Sequence, residues 1–190
     1  EFAVSRRTVI EDGKEAVYEE APMEVQEVVF VMDRFGYCKL LDKSTYERNQ
    51  ETVDTEQVHV VRCMSTDKIC LFAASGNLYQ IKVSDIPSGR LRDKGVPVEN
   101  LSRYDGAKDT IRLLTCAQEL KGNMLVFATK MAMVKQVAGE EFETNNRMVA
   151  ATKLQEGDEV AAVVIVKGET EAVLQTSLGV FLRFPLEEIS

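Results

Sequence analysis

Cys70-Leu71-Phe72-Ala73-Ala74-Ser75-Gly76-Asn77-Leu78-Tyr79-Gln80-Ile81-Lys82 is an apolar run, a short turn with glycine at its bend, and a second apolar run that ends on a base. A tight turn between twisted antiparallel strands needs positive φ, which glycine adopts without a side-chain clash, so the segment reads as a β-hairpin. Three further segments lie over it. They are Val28 to Lys39 with Gly36 at the bend, Met124 to Lys135 with Ala132 there, and Val173 to Arg183 with Gly179. The bends are 40, 56 and 47 residues apart, the period of propeller-like blades.

Between the hairpins lie further apolar strands, Val58 to Met64, Ile111 to Cys116 and Val160 to Val166, and Arg147 to Leu154 is a candidate fourth strand. The 24 valines outnumber the 15 leucines and fall in short runs bounded by turn residues, the composition of strands. A four-stranded blade alone exposes its edges and an apolar face, so blades need neighbours. The expected fold is all-β, a single propeller-like array over residues 1–190 with about four four-stranded blades. Their hairpins lie near 28–41, 69–83, 124–137 and 172–184, with linkers at 84–109 and 139–147.

Several function classes fall away. No apolar run approaches the roughly 20 residues of a membrane-spanning helix, and residues 1–7 have no apolar signal core. Cys38, Cys63, Cys70 and Cys116 form no C-x-x-C pair, and the single histidine, His59, has no neighbouring carboxylate cluster. The cysteines read as reduced, buried apolar residues and no metal is expected. No phosphate-binding glycine loop occurs. Glu140-Glu141 and Glu187-Glu188 read as solvated turns, Ser75 and Ser177 have no histidine to activate them, and no catalytic residue is nominated.

The net charge of −8 opposes a polyanionic partner, but residues 1–27 carry −5 of it, with eight acids and three bases. The other 163 residues hold 23 acids and 20 bases. Lys39, Lys82, Lys135 and Arg183 each follow a hairpin bend by three to six residues. Strand alternation points Lys39 and Arg183 away from the core that their neighbours fill. Arg34, Lys43 and Arg48 cluster near the first hairpin, Arg90, Arg92 and Lys94 follow the second, and Lys130 flanks the third bend. One outer rim carrying these bases would match a phosphate backbone without reading bases. The plainer alternative is that such lysines and arginines protect strand edges from aggregation. A protein-interaction module is the competing function.

Residues Leu125 to Lys130 and Val173 to Ile189 resemble the blade repeats in the C-terminal domain of the A subunit of bacterial type IIA topoisomerases, DNA gyrase and topoisomerase IV. Asp85-Ile86-Pro87 and Pro185-Leu186-Glu187-Glu188-Ile189 are similar to the acidic segment after that family's hairpin, and Arg7 to Asp12 to the strand leading into its first blade. The resemblance implies a β-pinwheel in which neighbouring blades exchange strands and whose basic perimeter binds and bends duplex DNA for strand passage. It implies as partners an ATPase subunit together with the rest of the A subunit, no cofactor in this chain, ATP and magnesium in the parent complex, and a cytoplasmic, nucleoid-associated location. The family's gyrases carry a box Q-R-R-G-G-R-G after the first hairpin, where this chain has Tyr46 to Asp54 with one arginine and no glycine. Its absence points to a topoisomerase IV-like subunit, or to a divergent gyrase-like one without gyrase-style wrapping.

Overall fold

The computed structural model describes residues 25–189. Arg7 to Asp12 lies outside them. All four hairpins form: β1 (Glu27–Met32) with β2 (Tyr37–Asp42), β4 (Lys68–Ala73) with β5 (Asn77–Lys82), β8 (Met124–Thr129) with β9 (Val134–Ala138), and β12 (Glu171–Gln175) with β13 (Phe181–Pro185). Their bends sit at positive φ: 81° at Gly36, 79° at Gly76, 61° at Ala132 and 78° at Gly179. Ala132 holds this conformation despite its Cβ, a local cost of about 1–2 kcal/mol.

Each of the first three hairpins is extended at its first strand by a strand from further along the chain. Thus β3 (His59–Met64) pairs with β1, β7 (Ile111–Cys116) with β4, and β11 (Val160–Val166) with β8, all antiparallel. The other side of the hairpin is closed from further along the chain. β6 (Val96–Pro97), which comes after the second hairpin, pairs with β2 of the first; β10 (Met148–Ala150), after the third, pairs with β5 of the second. The linker expected at 84–109 therefore carries an exchanged strand, whereas β10 falls within the candidate fourth strand, Arg147 to Leu154, just past the linker expected at 139–147. The sheets have four, four, three and two strands instead of four each, because no strand among the described residues reaches the far edge of β9 or either edge of the last hairpin. Strand β7 touches both β3 and β11, so these strands converge along one side of the array and β6 and β10 lie on the other.

Cores form between the blades. Phe30, Met32, Cys38 and Leu40 of the first sheet meet Ile69, Leu71 and Ile81 of the second, and the second sheet's other face, with Cys70, Phe72 and Leu78, meets Leu125, Phe127 and Val137 of the third. The free face of the first sheet is covered by two helices that the strand-based reading did not anticipate, α1 (Lys43–Arg48) and α2 (Gln50–Glu56), through Tyr46 and Val53. Two one-turn helices, α3 (Val98–Leu101) and α4 (Ala117–Leu120), complete the connections. All four cysteines are buried free thiols, and burial pushes Cys38, Cys63 and Cys70 up to about 12.

Candidate nucleic-acid interface

The outer side of the first blade is built by residues 86–97. Leu40 N donates to Pro87 O at 3.0 Å and Gly89 N to Leu40 O at 2.9 Å, so the segment joins the edge of β2 before β6 pairs with Cys38 and Tyr37. Between these attachments residues 89–95 loop outward. Arg90 N donates to Asp93 Oδ2 at 2.7 Å, and Leu91 packs beside Val29, Val31, Leu41, Tyr46 and Val53. Gly95 returns the chain at φ +79°, where a Cβ would lie 2.3 Å from Cys38 O.

This loop presents Arg90, Arg92 and Lys94, all exposed and in no ion pair among the described residues. Lys94 Nζ sits 4.0 Å from the centre of the Tyr37 ring, a cation–π contact that draws it toward the first hairpin's bend, where Arg34 is exposed over Phe35. Lys82 and Lys135 are exposed with no ion pair among the described residues, and Arg48 is exposed with Nε bonded to Ser44 O at 3.0 Å. Four nominated bases are otherwise engaged. Lys43 pairs with Glu27 at 2.6 Å, Lys130 with Glu159 at 2.6 Å, and Arg183 with Glu171.

Lys39 is the fourth, and it contradicts the expectation of a solvent-facing base. Only 5% exposed, it donates from Nζ to Leu91 O at 2.8 Å and to Asp93 O. Alternation does turn it away from Cys38 and Leu40, onto the face of Val31 and Leu41. That face is covered by the helices and by the 89–95 loop. Burial lowers its pKa, an effect opposed by the charges of Asp93, Glu56 and Asp33.

Nor do the four recurrent bases share one position. Lys39 and Lys135 occupy the same rung, opposite Val31 and Phe127, but Lys82 stands opposite Lys68 and Arg183 opposite Val173, on the other face of the ladder. The acids counted in residues 1–27 do not all stand apart from the bases, since Glu27 neutralises Lys43; those from Glu11 to Glu24 lie outside the described residues. Helices α1 and α2 also set Glu47, Glu51, Asp54 and Glu56 beside Lys43 and Arg48, so the stretch in the gyrase-box position is acidic. Arg62, Arg103 and Lys153 were not nominated, yet are exposed with no ion pair among the described residues; as isolated bases in strand or loop they carried no pattern.

A family model described as the DNA gyrase C-terminal domain, β-propeller, matches residues 67–102 and 123–167, the segments holding the second and third hairpins and both exchanged-strand connections in whole or in part. The fold of this chain is that of the C-terminal domains of topoisomerase IV and DNA gyrase A. The gyrase A protein of Helicobacter pylori is 29% identical over 201 residues, covering 100% of this chain and 24% of that protein. Its counterpart in Staphylococcus aureus is 29% identical over 198 residues, 97% of this chain and 22% of the relative. The chain thus spans about a quarter of the length of these curated relatives. Among solved structures, the C-terminal domain of DNA topoisomerase IV superposes with a TM-score of 0.77 at 21% identity, over 89% of this chain and 55% of that one. A gyrase A C-terminal domain gives 0.53 at 15% identity, over 87% and 56%. In keeping with this fold, no helix among the described residues is long and apolar enough to cross a membrane.

Proposed function

We propose that this domain binds and bends duplex DNA for the A subunit of a type IIA topoisomerase, and that it does so along the outer side of the first two blades. The carrying observation is the loop holding Arg90, Arg92 and Lys94: three exposed bases against one acid, beside Arg34, on the side of the array where the exchanged strands lie. Contacts of this kind grip phosphates and position the duplex without reading sequence. Bending without gyrase-style wrapping fits the residues, since the box position holds the acidic helices α1 and α2, a surface that repels a returning duplex. The parent protein would then be an ATP-dependent isomerase, more topoisomerase IV-like than gyrase-like, with ATP and magnesium used by the remainder of the complex.

Titration of duplex DNA over a range of salt concentrations tests this. Each phosphate neutralised releases about 0.9 counterion, so affinity should fall steeply with salt and vary little with base sequence. Changing Arg90, Arg92 and Lys94 together to Ala should flatten the slope by two to three contacts, whereas Arg183→Ala, which removes a paired base, should leave it unchanged. Absence of binding at low salt would favour a protein-interaction module, the reading suited to the apolar residues exposed on the last blade.

A further inference from the structure

We infer that Lys39 is a positioning residue: from inside the fold it fixes the loop that presents Arg90, Arg92 and Lys94, and it sets DNA affinity without touching DNA. This rests on the DNA-binding reading for its consequence, but the clasp itself rests on geometry. Lys39 Nζ bonds two main-chain carbonyls, Leu91 O at 2.8 Å and Asp93 O, which alternate with the exposed bases along the loop. Both glycines that bound the loop are fitted to this clasp. A Cβ on Gly89 would come 3.2 Å from Lys39 Cδ, and one on Gly95 would meet Cys38 O at 2.3 Å and Lys39 Cβ at 3.3 Å.

The device recurs in the second blade with a different residue. Lys68 Nζ donates to Thr144 O at 2.6 Å and Asn145 Oδ1 at 3.1 Å, holding the segment that runs into β10 as Lys39 holds the one that runs into β6. The clasp residues are not ladder equivalents: Lys39 lies on β2 and Lys68 on β4. What is shared is a cation delivered to the carbonyls of the strand-exchange loop. Such charge-assisted bonds are stronger than neutral ones and replace the pairing partners that a looped backbone lacks. With the carbonyls pulled inward, the side chains on either side of them are turned outward.

The test compares the intact chain with Lys39→Met, which keeps the length and removes the donor, with Asp93→Ala, which releases Arg90 N without touching the core, and with the Arg90/Arg92/Lys94→Ala triple variant. Hydrogen exchange without DNA should show amides 89–95 losing protection at least tenfold in Lys39→Met while β4 and β5 keep theirs. In DNA titrations, Lys39→Met should lose affinity about as much as the triple variant, flatten the salt slope similarly, and add nothing when combined with it. Asp93→Ala should loosen the same amides. Unchanged loop exchange in Lys39→Met overturns the clasp. Loosened exchange with unchanged DNA affinity and slope, or losses that add fully to those of the triple variant, overturns the positioning role. Failure of the intact chain to bind DNA removes the DNA-binding reading while the exchange result still decides the clasp. If Lys39→Met does not fold, Asp93→Ala decides by comparison with Asp93→Asn, which removes the same charge and keeps an acceptor for Arg90 N: a loosened loop with DNA affinity and salt slope equal to those of Asp93→Asn overturns the positioning role.

Discussion

The second and fourth blades share one hairpin design and opposite surroundings. In the second, Phe72 pairs with Leu78 on the last rung before the bend, and both are fully buried between blades; on the same rung of the fourth, Gln175 pairs with Phe181, and both are exposed. Phe72 meets Phe127 and Phe142 edge-on with centroids 5.8 and 5.1 Å away. The last hairpin exposes Val173, Leu178, Val180, Phe181 and Leu182. A repeat of this kind specifies its own turn and ladder, whereas its core belongs jointly to it and its neighbours, as expected of arrays whose energies are repeat terms plus interface terms.

The sharpest way to break this contrast is at its buried end. Phe72→Ala should cost about 3–5 kcal/mol, read as a lower urea midpoint at unchanged slope. A cost below about 1 kcal/mol would show that the blades do not share a core. Two glycines then separate contact with neighbours from backbone conformation. A Cβ on Gly139 would sit 1.9 Å from Leu120 O, so Gly139→Ala should destabilise by about 1–3 kcal/mol through forced main-chain movement. Gly179 has open space around it and φ +78°, so Gly179→Ala should cost only about 1 kcal/mol, in conformation alone. Smallest of all, Phe181→Ala should stay within about 0.5 kcal/mol, as at any exposed site. A larger loss in the same urea titration would reveal a partner on that face.

Much of this architecture was legible because it is local. The bends at Gly36, Gly76 and Gly179 announce themselves through a backbone requirement, and Ala132 was found only by alignment with them. Strand exchange was legible only through the family resemblance and not from the residues themselves, since β6 is two residues long and pairs with a strand more than fifty residues earlier. The helices were missed because their apolar contacts are few; Tyr46 and Val53, seven apart, were the available signal. Also missed was an aspartate two residues before a third strand that holds the hairpin bend. Asp109 accepts from Ser75 N at 3.1 Å and Asp158 from Met131 N at 3.0 Å. The burial of Lys39 was hidden by a rule that is sound for a sheet with one wet face. In a stacked array both faces are covered, so pointing away from one core delivers the side chain into another.

The exchanged strands also set a schedule for synthesis. A hairpin can close as soon as its second strand has left the ribosome, but the first sheet has no β6 until residues 96–97 appear, by which time the second hairpin is already made. The second sheet waits in the same way for residues 148–150, beyond the third hairpin. Each of the first two blades is therefore finished only after its successor's hairpin, and the open edge of the nascent chain advances toward the C-terminus. Pairings of such long sequence separation are slow to form, so the rate at which this domain matures should follow the arrival of the next repeat and not the folding of the last.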